Sequence, residues 1–335
     1  MRQRHGRVVV ITGASSGIGR ATALRFAKNG DTIVVAARRK NLLKDVVKEC
    51  EDLGAEAMVA ETDVSDQSSV EKLAKTAEKK YGRIDVWIND AGVGAVGKFD
   101  EVKPEEHKRV IDTNLEGTIN GSWYALKQFK KQREGVLINL SSVLGKVTQP
   151  YMASYAASKH GVKALSACIR QELWLNDLED IHVCTVFPQS VDTPFFENEA
   201  NRSGYKVKPA PPIETPEHAA EVIFRLAEDP QDEAHVGKMG KFMAMQQKMA
   251  RGMTEKQMAM MTEKKHFDRS RPERGNSGSL WKANQGESEG DIHGGWKNGS
   301  SWKKPVSIAG VAAPAALGLY FALKSRRSSQ LEEVA

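Results

Sequence analysis

The sequence has few cysteines and no clustered metal ligands. Its 335 residues include only three cysteines, Cys50, Cys168 and Cys184, which lie far apart and match neither CxxC nor CxxH spacing. The eight histidines are scattered and form no HExxH pattern. An odd, widely spaced set of cysteines argues against a disulfide framework and against a zinc site. We therefore expect a protein of a reducing compartment that uses no metal.

A long apolar run is also absent from the N-terminal end. The first one, Val8–Ile11, is too short for the apolar region of a signal peptide, so the body of the protein is expected to be cytoplasmic. Residues 241–335 hold 16 Lys and Arg against 9 Asp and Glu, and this surplus of seven leaves residues 1–240 at −1 within a net charge of +6. A near-neutral body indicates a small-molecule site, whereas a basic tail suits an anionic surface. The dispersed basic residues accompany no nucleic-acid-binding motif, so we expect no nucleic acid partner.

Secondary-structure patterning indicates a large α/β domain over residues 1–240. Short β-branched runs alternate there with segments of helix-forming length, which predicts a doubly wound parallel sheet with helices on both faces. The predicted strands are Val8–Ile11, Thr32–Ala36, Ala57–Ala60, Ile84–Ile88, Gly135–Leu140 and Ile181–Phe187.

The composition then changes, and residues 241–267 are predicted to form a Met-rich helical extension. Seven of the 11 methionines fall in residues 241–262, and Phe242, Met245, Met249 and Met253 have near-helical spacing. Such a helix either docks on its own domain or offers a methionine surface to a partner or a membrane.

Two further segments complete the chain. Residues 268–304 are rich in Gly, Ser, Asn and charge around isolated tryptophans, and are predicted to be a flexible linker. Residues 305–327 contain Val306–Leu323, which has no charged residue and as a helix would reach about 27 Å, close to the hydrocarbon thickness of a bilayer. Pro314 and the many Ala and Gly weaken this signal. The segment is a candidate C-terminal membrane anchor, with a peripheral or packed helix as the alternative.

The stretch VVVITGASSGIGR, Val8 to Arg20, matches two chemistries. Gly13 to Gly17 fits the GxSxG turn that presents a hydrolase nucleophile, but a hydrolase sheet would need strands and an oxyanion loop before it, and almost nothing precedes this strand. The alternative is a phosphate-binding turn, Thr12-Gly13-x-x-x-Gly17-x-Gly19, with the helix N-terminus facing the phosphates. We favour the second interpretation.

A proton-transfer pair lies further along the chain. Tyr155 and Lys159 are four positions apart and would share one helix face. An adjacent ammonium favours the phenolate, which brings a phenol with an ordinary pKa near 10 towards a working range. Tyr155 could then donate a proton to a carbonyl or accept one from an alcohol. Ser142 would hydrogen-bond the substrate oxygen as charge develops on it.

These motifs, in this order and spacing, resemble the short-chain dehydrogenase/reductase family, in the branch with TGxxxGxG and YxxxK, over about residues 7–240. NDAG at Asn89–Gly92 stands where the family has NNAG, and YAASK supplies Tyr155 and Lys159. The resemblance implies a Rossmann-type fold and an NAD(P)-dependent oxidoreductase. It implies the catalytic residues Asn114, Ser142, Tyr155 and Lys159. It implies cofactor contacts from Thr12, Gly13, Ser15, Ser16, Gly17, Ile18, Gly19, Arg38, Arg39, Asp63, Val64, Asn89, Ala91, Gly92, Tyr155, Lys159, Pro188 and Thr193.

The end of the second strand bears on the choice of cofactor. An NAD enzyme normally has an acidic side chain there, whereas a 2′-phosphate requires arginine. Ala37 occupies the acidic position and Arg38 and Arg39 follow, so NADP(H) is the preferred cofactor, with NAD(H) as the alternative. Ser16 lacks the basic side chain that many NADP-using relatives have at that place. Two solvated arginines ahead of a helix would also explain the pattern.

Two features bear on the substrate and the assembly. Gln189 follows Pro188 where the family usually has glycine, which puts the wall of the substrate pocket in doubt. Phe195–Pro212 lies where the family carries its substrate lid, and its aromatic residues favour an apolar ketone, aldehyde or matching alcohol. The resemblance also implies a homodimer or homotetramer paired through helices near 104–130 and 151–177.

The competing hypothesis is a dinucleotide-binding module for redox sensing or scaffolding, which would use the tail for contacts. The intact set of Ser142, Tyr155 and Lys159 argues against it, because a binding module need not keep a proton-transfer set.

Overall fold

The computed structural model describes residues 6–282 and 290–297. The candidate anchor Val306–Leu323 lies outside these residues. A seven-stranded sheet forms the centre, in the order β10-β7-β6-β4-β1-β2-β3, and all of its pairings are parallel. The predicted doubly wound α/β fold is therefore confirmed.

The strands of the chain in order are β1 Val8–Thr12, β2 Thr32–Ala37, β3 Ala57–Glu61, β4 Val86–Asn89, β5 Ala95–Val96, β6 Gly135–Leu140, β7 Ile181–Pro188, β8 Ala200–Asn201, β9 Tyr205–Val207, β10 Glu233–Val236 and β11 Phe267–Pro272. The α-helices are α1 Gly17–Ala27, α2 Lys40–Asp52, α3 Gln67–Tyr81, α4 Pro104–Ile111, α5 Gly117–Gln132, α6 Ala153–Leu175, α7 Phe195–Asn198, α8 Pro216–Glu228, α9 Lys238–Met249 and α10 Arg251–Lys265. A π-helical turn, Asp112–Glu116, joins α4 to α5, and a 3-10 turn, Val143–Gly145, follows β6.

The alternation of side chains along each strand builds a core on both faces of the sheet. In β1, Val9 and Ile11 pack with α1, α2 and α8, whereas Val8 and Val10 pack with α3, α5 and α6. Both faces of the sheet are therefore covered by helices. A strand buried on both faces has apolar residues at every position, which explains the continuous apolar run that begins at Val8. This arrangement brings the carboxyl ends of the parallel strands to one edge, where ligands bind in open α/β sheets.

All six predicted strands are present in the central sheet, with ends that differ by up to two residues. Its seventh strand, β10, was missed because EAHV is short and half polar, so that it has neither an apolar run nor strict alternation.

The Met-rich extension forms two helices, α9 and α10. Phe242, Met245, Met249 and Met253, the residues with near-helical spacing, are exposed, as in the alternative of a methionine surface and not as in a docked face. The side chains that pack against the domain are instead Met243, Met258 and Met261. Methionines therefore occur on both faces of these helices, one packed on the domain and the other exposed.

The described parts of the predicted flexible linker lie against the domain. Residues 267–272 form β11, which pairs antiparallel with β9, and Leu280 is fully buried. Trp296 donates its backbone N–H to Asp192 over 2.7 Å. These residues therefore differ from the expectation of an unstructured connection. None of the helices within residues 6–282 and 290–297 is both long and apolar enough to cross a membrane.

Candidate active site

The glycine turn between β1 and α1 is packed so closely that it has no room for side chains at two positions. Gly13 has a φ of +74°, and a Cβ there would lie 2.8 Å from the backbone nitrogen of Ala91. A Cβ on Gly19 would lie 2.5 Å from the Gly13 carbonyl oxygen. Side chains are excluded at both positions, because the turn, the α1 N-terminus and the loop after β4 approach closely. The backbone amides at the α1 N-terminus and the helix dipole fit a pyrophosphate group. The Gly17 amide is buried and donates to a carbonyl of the tail.

Two polar residues hold this turn against the neighbouring strand. Thr12 Oγ1 accepts from the backbone nitrogens of Asp90 and Ala91 over 3.2 and 3.3 Å. Asn89 turns inward, accepting from the indole of Trp87 over 2.8 Å and donating to Asn139 over 2.8 Å. Both residues therefore position the cofactor loops by bonds within the protein.

Three guanidinium groups gather at the end of β2. Arg39 donates to the hydroxyls of Ser15 and Ser16 on the glycine turn, over 2.9 and 3.0 Å. Arg109 pairs with Asp63 over 2.8 Å. Burial alone would raise the pKa of Asp63, but hydrogen bonds from Arg109 and Ser65 outweigh it and lower that pKa. Arg38, the third cation, interacts electrostatically with Asp63. Because one carboxylate balances only part of the charge of three guanidinium groups, this corner suits an anion.

The proton-transfer residues meet at the ends of β6 and α6. Tyr155 and Lys159 share the inner face of α6, with the Lys159 ammonium 5.7 Å from the centroid of the Tyr155 ring. Lys159 donates to the Leu140 carbonyl over 2.8 Å. Ser142 caps the short turn after β6 by accepting from the Leu144 nitrogen over 3.1 Å, and its hydroxyl faces the Tyr155 phenol closely enough to lower the pKa of that group.

The net effect on Tyr155 corrects the expectation that Lys159 draws out a phenolate. Burial raises the pKa of Tyr155 above its ordinary value; the Ser142 hydroxyl opposes this rise, and the carboxyl groups of Glu199 and Asp90 add to it. Burial also lowers the pKa of Lys159 to about 8, which Asp90 partly offsets. A raised pKa favours the protonated phenol, which is the form that a carbonyl reduction needs.

Two acidic groups near this pair were missed by sequence reasoning. Burial raises the pKa of Asp90 to about 7, although Lys159 and the Gly19 amide lower it. Glu199 is buried, and neither carboxyl oxygen has a hydrogen-bond partner among the described residues. Desolvation raises its pKa well above the ordinary value. Asp90 had a signal in the sequence, since it replaces the second Asn of NNAG, whereas Glu199 had none.

Asn114 lies in the π-helical turn between α4 and α5 and is fully buried. It accepts from the Val93 nitrogen over 2.8 Å and donates to the Val93 carbonyl over 3.0 Å and to Ser158 over 3.1 Å. Its amide ties the loop after β4 to α6, and so links the cofactor side of the site to the helix that carries Tyr155.

A cavity of about 320 Å³ joins these groups. Sixteen of the predicted site residues line it: Gly13, Ser15, Ser16, Gly17, Ile18, Arg38, Arg39, Asp63, Val64, Ala91, Gly92, Ser142, Tyr155, Lys159, Pro188 and Thr193. Thr12, Gly19, Asn89 and Asn114 do not line it within the described chain; they support its wall from behind.

The far end of the cavity is apolar and contains residues that no motif predicted. Phe195 lies with its ring 5.7 Å from the ring of Tyr155, consistent with the predicted lid. Methionines from α9 and α10 and the ring of His266 complete the lining. Gln189 anchors α9, because its side chain accepts from the Gly240 nitrogen over 3.2 Å and donates to the Pro212 carbonyl over 3.1 Å. Gln189, which stands where the family usually has glycine, therefore forms part of the cavity wall at the substrate end.

The tail crosses the cofactor end of the cavity. Arg38 donates to the carbonyls of Ser279 and Leu280 over 2.6 and 3.3 Å, and Arg109 donates to the Leu280 carbonyl over 2.9 Å. Further along, the Gly17 nitrogen donates to the Asp291 carbonyl over 3.0 Å. Carbonyl oxygens of the tail thus already use the donors that suit a phosphate.

The same site gives no sign of a metal centre. Within the described part of the chain, His, Cys, Asp and Glu side chains form no group of three or more that could hold a metal ion.

A glycine turn facing a helix N-terminus, joined by one cavity to buried Ser142 and Lys159 and half-buried Tyr155, defines an oxidoreductase of the nicotinamide-dinucleotide class. A model of short chain dehydrogenases matches residues 7–203. The chain belongs to the short-chain dehydrogenase/reductase family, and its relatives are NAD(P)-dependent enzymes.

Three similar proteins illustrate the range of the family. The uncharacterized oxidoreductase YxnA of Bacillus subtilis is 32% identical over 323 residues, which are 93% of this chain and 90% of YxnA. A Burkholderia phymatum short chain dehydrogenase/reductase solved with NAD has a TM-score of 0.69 and 25% identity, covering 76% of this chain and 97% of its own. The alcohol dehydrogenase of Thermococcus sibiricus, solved with 5-hydroxy-NADP, has a TM-score of 0.61 and 26% identity, covering 69% and 96%.

Proposed function

We propose that the protein is an NADP(H)-dependent carbonyl reductase that interconverts an apolar ketone or aldehyde and its alcohol. The observation that carries the proposal is the single cavity lined by the glycine turn, Ser142, Tyr155 and Lys159. Bound nicotinamide supplies or accepts the hydride. The dinucleotide-binding scaffold alternative has no comparable support, because such a module gains nothing from an acid group beside the cofactor cleft.

Each residue of the set has one task in this proposal. Tyr155 donates its phenol proton to the substrate oxygen, which suits a group whose pKa is raised by burial. Ser142 hydrogen-bonds the same oxygen as negative charge develops on it. The Lys159 ammonium adds positive charge beside the phenol and contacts the cofactor ribose, while Asn114 holds the two sides of the site in register.

The preference for NADP(H) over NAD(H) is supported by charge. Ala37 offers no carboxylate to a ribose hydroxyl, and Arg38, Arg39 and Arg109 surround the end of β2. A 2′-phosphate gains charge-assisted hydrogen bonds from such groups. The solved relatives hold either NAD or an NADP derivative, so the distinction must come from these side chains.

The test is oxidation of NADPH and NADH by the full chain with a series of apolar ketones and aldehydes. We expect NADPH to be preferred by roughly 10- to 100-fold, because charged hydrogen bonds contribute about 1.5–3 kcal/mol. Arg38→Ala and Arg39→Ala should each move the NADPH-to-NADH ratio of kcat/KM towards one. Arg83→Ala, an exposed arginine before β4, is the matched control and should leave the ratio unchanged. An NADH preference, or a ratio insensitive to both variants, would contradict the cofactor assignment.

The substrate end supports an apolar substrate. Phe195 and Phe196 from the lid and methionines from α9 and α10 supply most of its lining. If the proposal is correct, long-chain and bulky ketones should have lower KM values than short polar ones. A preference for short, charged carbonyl compounds would overturn this part.

Assembly and location complete the proposal. Trp123 on α5 and Trp174 and Leu175 on α6 are exposed, at 48%, 72% and 72%, which supports a homodimer or homotetramer that covers these helices. Light scattering tests this, and a monomeric mass would contradict it. We also propose a cytoplasmic catalytic domain, tethered by Val306–Leu323 if that segment inserts; fractionation with and without those residues decides between a membrane-bound and a freely soluble protein.

A further inference from the structure

His266 is a buried imidazole that the proton-transfer set does not use. It follows α10 directly, is only 2% exposed and lines the substrate end of the cavity. Neither ring nitrogen makes a well-aligned hydrogen bond with a described residue, although the Lys208 backbone interacts with the ring. A buried polar group without a well-aligned partner is destabilising, so its presence here calls for a compensating contact that a ligand can supply.

The surroundings of His266 explain why it is neutral. Burial lowers the pKa of its ring to about 4, which the nearby Lys208 backbone only partly offsets. The ring packs edge-on against Phe267, with centroids 5.4 Å apart. A neutral imidazole has one donor nitrogen and one acceptor nitrogen, and so matches a hydroxyl, which also donates and accepts.

The neighbouring wall is apolar and uncharged. Met239 and Met243 come from α9, and Met258 and Met261 from α10. The described residues that line this end of the cavity include no charged side chain. A carboxylate or phosphate on the substrate would therefore lose its hydration without a counter-charge, whereas an alkyl chain with one neutral polar group would not.

Resting on the proposed carbonyl reduction, we infer that His266 determines substrate specificity by hydrogen-bonding a second, neutral polar group of an elongated apolar carbonyl compound. The reacting carbonyl lies at Tyr155, the apolar body contacts the methionines of α9 and α10, and a hydroxyl remote from the carbonyl reaches His266. The substrate class is thus a hydroxylated long-chain or polycyclic ketone, and its reduction product is a diol.

The experiment compares 2-alkanones from 2-pentanone to 2-dodecanone with their ω-hydroxyl counterparts, using the full chain and NADPH. At the matching chain length, the hydroxylated ketone should have a kcat/KM roughly tenfold higher, carried mainly by KM, as expected for one hydrogen bond in an apolar site. His266→Phe should abolish this preference, so that the hydroxylated and the plain ketone of each pair have equal kcat/KM values. His266→Gln keeps a hydrogen-bond donor and an acceptor, and should retain part of the preference for the hydroxylated ketone. This variant also allows the test to proceed if His266→Phe does not fold.

Met261→Leu is the matched control, since it alters the same wall without a polar group and should affect both ketones of a pair equally. Equal kcat/KM values for every pair in the native protein, or a preference that survives in His266→Phe, would overturn the inference.

Binding of the products separates this inference from the proposed function. Isothermal titration of the native chain and His266→Phe with each 2-alkanol and its matching diol, in the presence of NADP⁺, needs no turnover. Tighter diol binding that depends on His266, together with no reduction of any ketone, would contradict the proposed function and leave only the hydroxyl-binding role of His266 supported. Equal binding of the alcohol and the matching diol at every chain length would contradict the inference, even if ketones are reduced.

Discussion

The two ends of the cavity are built in different ways. At the cofactor end, the residues follow β1, β2, β4 and β6, and the parallel sheet brings the carboxyl ends of these strands together. At the substrate end, the lining comes from the lid after β7, from α9 and α10 and from His266. The tail then crosses back to the cofactor end through Leu280 and Asp291. The sheet therefore positions the residues proposed for cofactor binding and proton transfer. The C-terminal segments outside the sheet instead shape the substrate end and cover the entrance for the cofactor.

The largest effect is expected at the end that carries the chemistry. Tyr155→Phe removes the phenol proton and should lower kcat by roughly 10²- to 10⁴-fold, the usual contribution of a positioned acid. Binding of NADPH, followed by fluorescence, should be retained. Tyr151→Phe is the matched control, because its hydroxyl bonds Glu263 over 2.7 Å on the C-terminal side. A Tyr155→Phe variant that turns over at the rate of Tyr151→Phe would break the assignment of the acid.

The second prediction concerns Asp90, where this chain departs from the NNAG of its family. Its pKa of about 7 in the folded state lies above the ordinary value of 3.8, so between these values the folded protein holds a proton that the unfolded chain has released. Stability should therefore fall as the pH rises through this window. Asp90→Asn lacks this titration. Between pH 4 and pH 8, the free energy of unfolding of this variant should therefore rise by about 2–4 kcal/mol relative to that of the native chain, since one pKa unit corresponds to about 1.4 kcal/mol.

Urea unfolding at a series of pH values measures this difference. Asp100→Asn, an exposed aspartate in the following loop, is the control and should show no such gain. A stability difference between Asp90→Asn and the native chain that does not change with pH would contradict the raised pKa. The carboxyl would then be ionised throughout, paired with Lys159.

The smallest effect is expected where the tail meets the cofactor end. Leu280 is fully buried among Val93, Val102 and Val110. Leu280→Asp should release the tail, because losing a buried leucine costs about 2–5 kcal/mol. Arg38 and Arg109 then lose their carbonyl partners. We expect NADPH association and dissociation, measured by stopped flow, to become at least about tenfold faster. The reason is that the cofactor would no longer wait for the tail, held by the buried Leu280, to open.

Trp281→Ala is the control for this variant. The Trp281 side chain is next to Leu280 in the sequence but is 50% exposed, so its loss should leave the tail in place. Unchanged rates in Leu280→Asp would show that the cofactor enters without displacement of the tail, and would weaken the contrast between the two ends.

How far the sequence predicted each end follows from the same contrast. Gly13, Ser142, Tyr155 and Lys159 could be found because the sheet and α6 impose fixed spacing on them. The direction of the Tyr155 pKa could not, because it depends on burial and on Glu199, which is brought near by a loop 44 residues later. His266 and Leu280 were missed because no local pattern marks a residue whose role depends on a return contact across the fold.

The central claim is that the cavity reduces a carbonyl with a nicotinamide hydride and the Tyr155 proton. The most direct test uses NADPH deuterated on the transferring face of C4, with 2-nonanone and the full chain, and analyses the alcohol by mass spectrometry. The account predicts 2-nonanol with deuterium on the carbinol carbon, formed at a rate that collapses in Tyr155→Phe. Alcohol without deuterium, or equal rates in the two proteins, would contradict it.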